Sequence, residues 1–333
     1  MKNSKYRLKA ILDYRKKKIT VDSFPPVLHV ELTNACNLKC VICPHIRMRR
    51  SIGYMTLELV DKIIKETSGK SEFATLHAWG ESLLHPQFDT IIRKFKKNGF
   101  KTQMSTNATI LNKEQQEKLV NSDLDLLIFS IDAANEETYN KIRIGGDFKK
   151  TIKNIEDFLI LVKKQKVKMF CVFQLVYNVF NKEEAILFKK KWEMKYPMIY
   201  VCLKPYSVWS GEDKSLEKYY PGDVVKCKEN LCDWIWRVFI IHWNGNVVPC
   251  CNDYDGKVSL GNVTQSSIDE IWNGDKIKEF RYLHLNGRNA INLCKNCNYQ
   301  SLGSFKQLVF ILFSYFKSLK FQILFENYFR NLI

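Results

Sequence analysis

The chain is short of the residues that mark the simplest non-globular classes. Glycine and proline number only 14 and 8 in 333 residues, which excludes collagen-like and low-complexity architectures. No apolar run reaches the roughly 20 residues a membrane-spanning helix needs. The longest near the C-terminus, residues 308–316, contains Ser314 and stops at Lys317. Acids are also few: 35 Asp and Glu face 52 Lys and Arg, a formal net charge of +17. The first twenty residues carry Lys2, Lys5, Arg7, Lys9 and Arg15 to Lys18 against one acid, Asp13, with no apolar stretch behind them. That is not a secretory signal, and a cytoplasmic location is expected. Eleven cysteines in a reducing compartment point to metal or redox chemistry rather than disulfides.

What is present is ordinary globular composition, 46% hydrophobic and 26% charged, at a length that suggests about two domains. The positive charge is spread along the chain and reads as a lysine-rich solvated surface that attracts polyanions without specificity. No motif interleaves aromatic with basic residues, so a specific nucleic-acid partner is not expected.

From residue 27 to 206 short β-branched or aromatic runs alternate with longer amphipathic segments. Strands are expected at 27–32, 74–79, 101–105, 126–131, 169–177 and 199–204, and helices at 56–66, 88–97, 113–121, 151–163 and 182–194. This order makes right-handed βαβ units and a mainly parallel sheet, a partial (β/α)6 barrel, with chemistry at the strand C-terminal ends. Five segments follow: a basic N-terminal extension (1–24), the α/β core (25–206), a linker (207–226), a small cysteine-rich domain (227–303) and an aromatic helical tail (304–333). Within the fourth, Asn244-Gly245-Asn246 between apolar runs signals a hairpin, and a helix is expected at 267–272. The tail suits packing on the body or a second copy, or peripheral contact with a membrane interface.

The sharpest signal is Cys36-Asn-Leu-Lys-Cys40-Val-Ile-Cys43, directly after the first strand. Structural zinc takes four protein ligands, and this loop offers three. A 4Fe–4S cluster held by three thiolates keeps one iron open for a small molecule. Inert core cysteines fit poorly, because Asn34, Asn37 and Lys39 make the loop polar.

The segment from Glu31 through Cys36, Cys40 and Cys43 to Pro44 resembles the cluster loop of radical S-adenosylmethionine (SAM) enzymes. Further features follow in that family's order. Trp79-Gly80-Glu81-Ser82 resembles its Gly-Gly-Glu motif, with Trp79 in place of the first glycine. Thr106-Asn107-Ala108 stands where Thr-Asn-Gly is frequent, Ser130 ends the fourth strand, and Arg143 follows. The resemblance implies a radical-generating cluster on Cys36, Cys40 and Cys43, with SAM met by Gly80, Glu81, Asn107, Ser130 and Arg143. Reductive cleavage would then give a 5′-deoxyadenosyl radical. Cys232, Cys250, Cys294 and Cys297 bracket a segment similar to the shortened SPASM, or twitch, domain, which implies an auxiliary 4Fe–4S cluster. The spacing alone fits a four-cysteine zinc site as well, leaves Cys250 and Cys251 both eligible, and gives Cys227 no clear place.

The expectation is an oxygen-sensitive oxidoreductase fed by a low-potential donor such as flavodoxin or ferredoxin. Its substrate would be a sugar- or cyclitol-like metabolite, with a peptide as the alternative and a zinc-stabilised binding module as the contrasting class. Candidate bases are Lys204, Glu212 and Asp253; His29 and His77 read as core or cavity residues.

Overall fold

Each element forms where apolar periodicity coincides with a local stop or start signal. The computed structural model describes residues 4–196, 199–209, 214–222 and 231–299; Cys227, Glu212 and the 304–333 tail lie outside them. Six strands, β1 (Val27–Val30), β2 (Phe73–Thr75), β3 (Lys101–Thr106), β4 (Leu126–Ser130), β5 (Phe170–Tyr177) and β6 (Tyr200–Pro205), pair in parallel and in chain order. The helices are α1 (Ser4–Arg15), α2 (Leu57–Thr67), α3 (Phe88–Lys97), α4 (Lys113–Val120), α5 (Glu136–Ile142), α6 (Phe148–Lys164), α7 (Ala185–Lys195), α8 (Trp234–Arg237), α9 (Ile268–Trp272) and α10 (Asp275–Leu285). Side chains close several of the N-termini, as the unpaired first-turn N–H groups require: Thr56 for α2, Asn112 for α4, Asn135 for α5 and Asp147 for α6.

The sheet has two unlike faces, as alternation along each strand demands. Leu28, Ala74, Met104, Phe129 and Phe173 turn outward into the main core, where Ile63, Ile92 and Phe158 of the helices meet them. The opposite face is the barrel interior. Its lower layer is apolar, built from Leu126, Val172 and Cys202. Polar, half-buried side chains follow toward the C-terminal ends of the strands as its upper layer: His29, Gln103, Ser105, Ser130, Gln174 and Lys204; Ser130 pairs with Gln174, while Gln103 pairs with Leu126 and Lys204 with Val176, so the two layers interleave.

The six parallel strands of the βα core form as expected, and the sheet continues beyond them to nine strands in the order β6-β5-β4-β3-β2-β1-β7-β8-β9. The hairpin around Gly245 forms as β7 (Val238–Ile241) and β8 (Asn246–Val248), but β7 pairs in parallel with β1, and β9 (Gly261–Asn262) follows at the edge. All four residues of β7 are buried, so that strand needs cover on both faces, and the barrel supplies it. The basic N-terminal extension carries a helix, α1, which buries Ala10 and Ile11 and sets Tyr14 edge-on to Trp236 at 5.4 Å. Among the described residues no helix is long and apolar enough to cross a membrane.

Candidate active site

The cysteine loop leaves β1 at the barrel mouth and is held by its own polar residues. Asn34 is fully buried; its amide donates to Ser51 O (2.9 Å), its Oδ1 accepts from Gly53 N (2.9 Å), and its carbonyl meets His45 Nε2 at 2.7 Å. Lys39 N and Val41 N donate to the carbonyls of Ile144 and Ile142, both at 2.9 Å, which stitches the loop to the segment carrying Arg143. Cys36, Cys40 and Cys43 come within electrostatic reach of one another. Burial chiefly raises all three: Cys36 is pushed up to about 11, with Glu81 and Cys40 adding, Cys43 up to about 12, with Cys40 and Cys36 adding, and Cys40 is raised with Asp132 and Glu81 adding. Three crowded thiols that resist ionising are what a cationic iron cluster would relieve, since metal ligation deprotonates a thiol outright.

The Gly80–Glu81 turn presses against this loop. Gly80 has φ +99°, and a Cβ there would lie 2.6 Å from Ala35 O and 2.7 Å from Thr33 O; Glu81 N donates to Ala35 O at 2.7 Å. The buried Glu81 carboxylate accepts from Asn107 N (2.7 Å) and Leu83 N (3.2 Å), and burial raises its pKa. Asn107 in turn donates to Asn37 Oδ1 at 3.0 Å inside the cysteine loop. These residues therefore shape the loop directly.

Arg143, which the resemblance sets against SAM, is partly occupied by the protein's own groups. One Nη donates to Ser130 Oγ and to Asp132 Oδ2, each at 2.7 Å. Burial disfavours its charge, but Asp132 and the nearby Cys40 hold the pKa above its ordinary value. Its buried Nε has no partner among the described residues, and neither does Trp79 Nε1. Two orphaned donors beside the thiol loop fit a bound group with acceptor oxygens, such as SAM. Trp79, 5% exposed, packs edge-on against Trp209 at 5.0 Å and Tyr254 at 5.8 Å.

The second thiol group lies in the loops around β7 and β8 and just after α10. Cys250 faces Cys232 and Cys297, and Cys294 faces Cys297, each pair close enough to raise the thiol pKa values. The Cys250 thiol is raised first by its hydrogen bond with Cys251, then by burial. Cys251 also packs with Val238, Ile240 and Val248, whereas Cys250 also packs against the main core. Donors surround the sulfurs: Asn252 N to Cys250 Sγ (3.4 Å), Asn252 Nδ2 to Cys297 Sγ (3.6 Å) and Tyr299 N to Cys297 Sγ (3.3 Å). Such hydrogen bonds set the potential of an iron–sulfur centre. Among the described residues no three His, Cys, Asp or Glu side chains stand ready-made to hold a single metal ion.

Of the base candidates, Lys204 lines the lumen. Asp253 does not: its oxygens accept from Lys257 N and Val258 N at 2.8 Å and close the 253–258 turn. The sequence reading gave no chemical role to His29 and His77, which share the lumen with ring centres 6.5 Å apart. Strand alternation is the signal that places them inward. His284, whose Nε2 sits 3.7 Å from Cys294 Sγ, carried no local signal.

Residues 30–186 match the family described as the radical SAM superfamily, and residues 232–298 match an iron–sulfur cluster-binding domain, SPASM. The chain is 27% identical over 299 residues to a tungsten-containing aldehyde ferredoxin oxidoreductase cofactor-modifying protein of Pyrococcus furiosus, covering 78% of this chain and 84% of that protein. It is 23% identical over 305 residues to the S-adenosyl-L-methionine-dependent 2-deoxy-scyllo-inosamine dehydrogenase of Niallia circulans, covering 88% and 100%. Among solved structures, BtrN in complex with AdoMet and 2-DOIA superposes with TM-score 0.56 at 21% identity, over 85% of this chain and 96% of that one. Streptococcus suis SuiB bound to precursor peptide SuiA gives 0.62 at 16%, over 87% and 73%. At these identities the structures speak for the fold.

Proposed function

Because this chain belongs to the radical SAM superfamily and carries the SPASM iron–sulfur domain, we propose that it is a SAM-dependent dehydrogenase of a sugar- or cyclitol-like metabolite. It is a radical SAM enzyme whose cofactors are 4Fe–4S clusters and S-adenosylmethionine. In this reading Cys36, Cys40 and Cys43 hold the SAM-binding cluster, and Cys232, Cys250, Cys294 and Cys297 hold the auxiliary one. The observation that carries the dehydrogenase reading is the second group: Cys232, Cys250 and Cys294 each feel the charge of Cys297, and four thiolates would complete a cluster's ligand set and leave it an electron carrier. Full-length alignment to a dehydrogenase of a cyclitol amine supports the small-molecule reading.

When bound, these cofactors supply hydrogen-atom abstraction at a carbinol carbon and accept the remaining electron. The chain's own residues do the rest. Arg143 Nε and Trp79 Nε1 offer donors to the ligand, Gly80 lets the turn close on the cysteine loop, and the polar row of the lumen orients the carbinol. Oxidation of an alcohol also releases a proton. Burial, chiefly, holds His29 and His77 down to about 3, so both imidazoles are neutral hydrogen-bonding groups of the lumen rather than bases. A low-potential donor such as flavodoxin or ferredoxin would deliver the first electron.

Iron and sulfide content after anaerobic reconstitution tests this directly. Wild type should hold about eight irons, and a Cys36→Ala, Cys40→Ala, Cys43→Ala triple variant about four. Only the wild type should then cleave SAM. Zinc with little iron in the wild type would overturn the reading.

A further inference from the structure

The upper layer of the barrel interior has a one-sided electrostatic character. Lys204 reaches it from β6, on the same face as Gln174 and Ser130. It has no carboxylate partner and no hydrogen bond among the described residues, whereas most other lysines of the β/α core that are similarly shielded are paired: Lys96 with Asp125 at 2.7 Å, Lys94 with Asp61 at 2.7 Å. The acids nearest the mouth are all engaged elsewhere. Glu31 is held by Arg50, Asp132 by Arg143, and Glu81 by main-chain N–H groups. Around Lys204 stand groups that donate or are neutral. His29 and His77 both feel the lysine charge, and the other charged neighbour of His29 is Arg237, itself paired with Asp233. His77 Nδ1 is buried without a partner among the described residues. His29 also meets the Trp234 ring at 5.4 Å, which walls that end of the cavity.

A half-buried cation with no counter-charge is costly unless a ligand completes it. We propose that Lys204 binds an anionic oxygen group, phosphate or carboxylate, of the substrate, so that the dehydrogenase acts on an acid-bearing polyol. The inference rests on the reading of the lumen as the substrate cavity. Lys204 thereby becomes a binding residue rather than the base.

Equilibrium dialysis on the anaerobic, cluster-loaded enzyme tests it, with inorganic phosphate and acetate as separate probes, each measured first without and then with saturating SAM. Wild type should bind one phosphate or acetate per chain, and whichever probe binds tighter identifies the acid. Lys204→Gln should weaken that binding about tenfold or more, the worth of one charge-assisted hydrogen bond. Lys204→Arg should keep most of it, as should Lys153→Gln, which changes an exposed lysine on α6. Equal binding by Lys204→Gln and wild type, no binding to wild type, or binding that disappears when SAM is added would each overturn the proposal. The last outcome would assign the lysine to SAM's own carboxylate. Wild type that holds its clusters and cleaves SAM yet binds neither probe fails this inference alone. Wild type without clusters fails the functional reading instead.

Discussion

At position 80 the main chain takes φ +99° with carbonyl oxygens of the cysteine loop under 3 Å from where a Cβ would sit, so the residue is fixed by contact as well as by torsion. Gly80→Ala should cost about 1–3 kcal/mol in strain and shift the loop that positions Cys36. The check is thermal unfolding together with iron content, with fewer irons per chain expected at equal folded yield. Histidines set a second single-residue effect. His29, His77 and His242 are lowered to about 3 and His284 to about 4, in each case chiefly by burial. Between about pH 6.5 and those values the unfolded chain takes up protons that the fold refuses, so stability falls as pH drops below about 6.5 and is unaffected above it. His242 is fully buried and its Nε2 has no partner among the described residues. His242→Gln should therefore flatten the acid limb by up to about 1.4 kcal/mol per pH unit, read from urea midpoints between pH 7.5 and 5.5. An unchanged slope would mean that this imidazole charges in place.

At the scale of elements, the tie between the cysteine loop and the β7–β8 hairpin is a buried ion pair. Arg50 grips the fully buried Glu31 with Nη1 at 2.7 Å and Nη2 at 2.5 Å, and its Nε donates to Tyr254 O at 2.6 Å. Glu31 Oε1 also accepts from Trp243 N at 3.2 Å. Arg50→Ala leaves that carboxylate buried and unpaired, and should cost about 3–5 kcal/mol, whereas Glu31→Gln with Arg50→Met should recover much of the loss; denaturant unfolding of the three proteins decides it. Neither partner announces this role in the sequence. The βα rhythm, the Cys36–Cys43 spacing and the Ser267 start of α9, which closes as a capping box with Glu270, are local patterns and could be read directly. α1 is hidden in the sequence because lysines dominate its pattern and, of its aliphatic residues, Ala10 and Ile11 are buried while Leu8 and Leu12 are exposed. The β1–β7 pairing joins residues more than two hundred positions apart, and no local period encodes that. The same limit applies to His77 and Lys204: alternation sets the face each occupies, but only sheet curvature turns that face into a lumen.

At the scale of the whole molecule, β1 sits between β2 and β7 in one continuous sheet, so the loop that carries Cys36, Cys40 and Cys43 and the β7–β8 hairpin that leads to Cys250 belong to neighbouring strands. That arrangement fits two cofactors that must act in sequence on one substrate: a site that removes a hydrogen atom, and a second that takes the electron left behind. Each function should then be separable. Cys294→Ala with Cys297→Ala removes half the second ligand set without touching the 36–43 loop, so the variant should keep about four irons and still form 5′-deoxyadenosine from SAM under a strong reductant. With no acceptor nearby, the substrate radical has no outlet, and oxidised product should be lost while SAM cleavage continues without coupling to it. The ratio of oxidised substrate to 5′-deoxyadenosine, near one for wild type, should fall toward zero. A ratio that stays near one in a variant shown to hold only four irons would mean that the electron leaves by another route, and the second thiol group would then be structural.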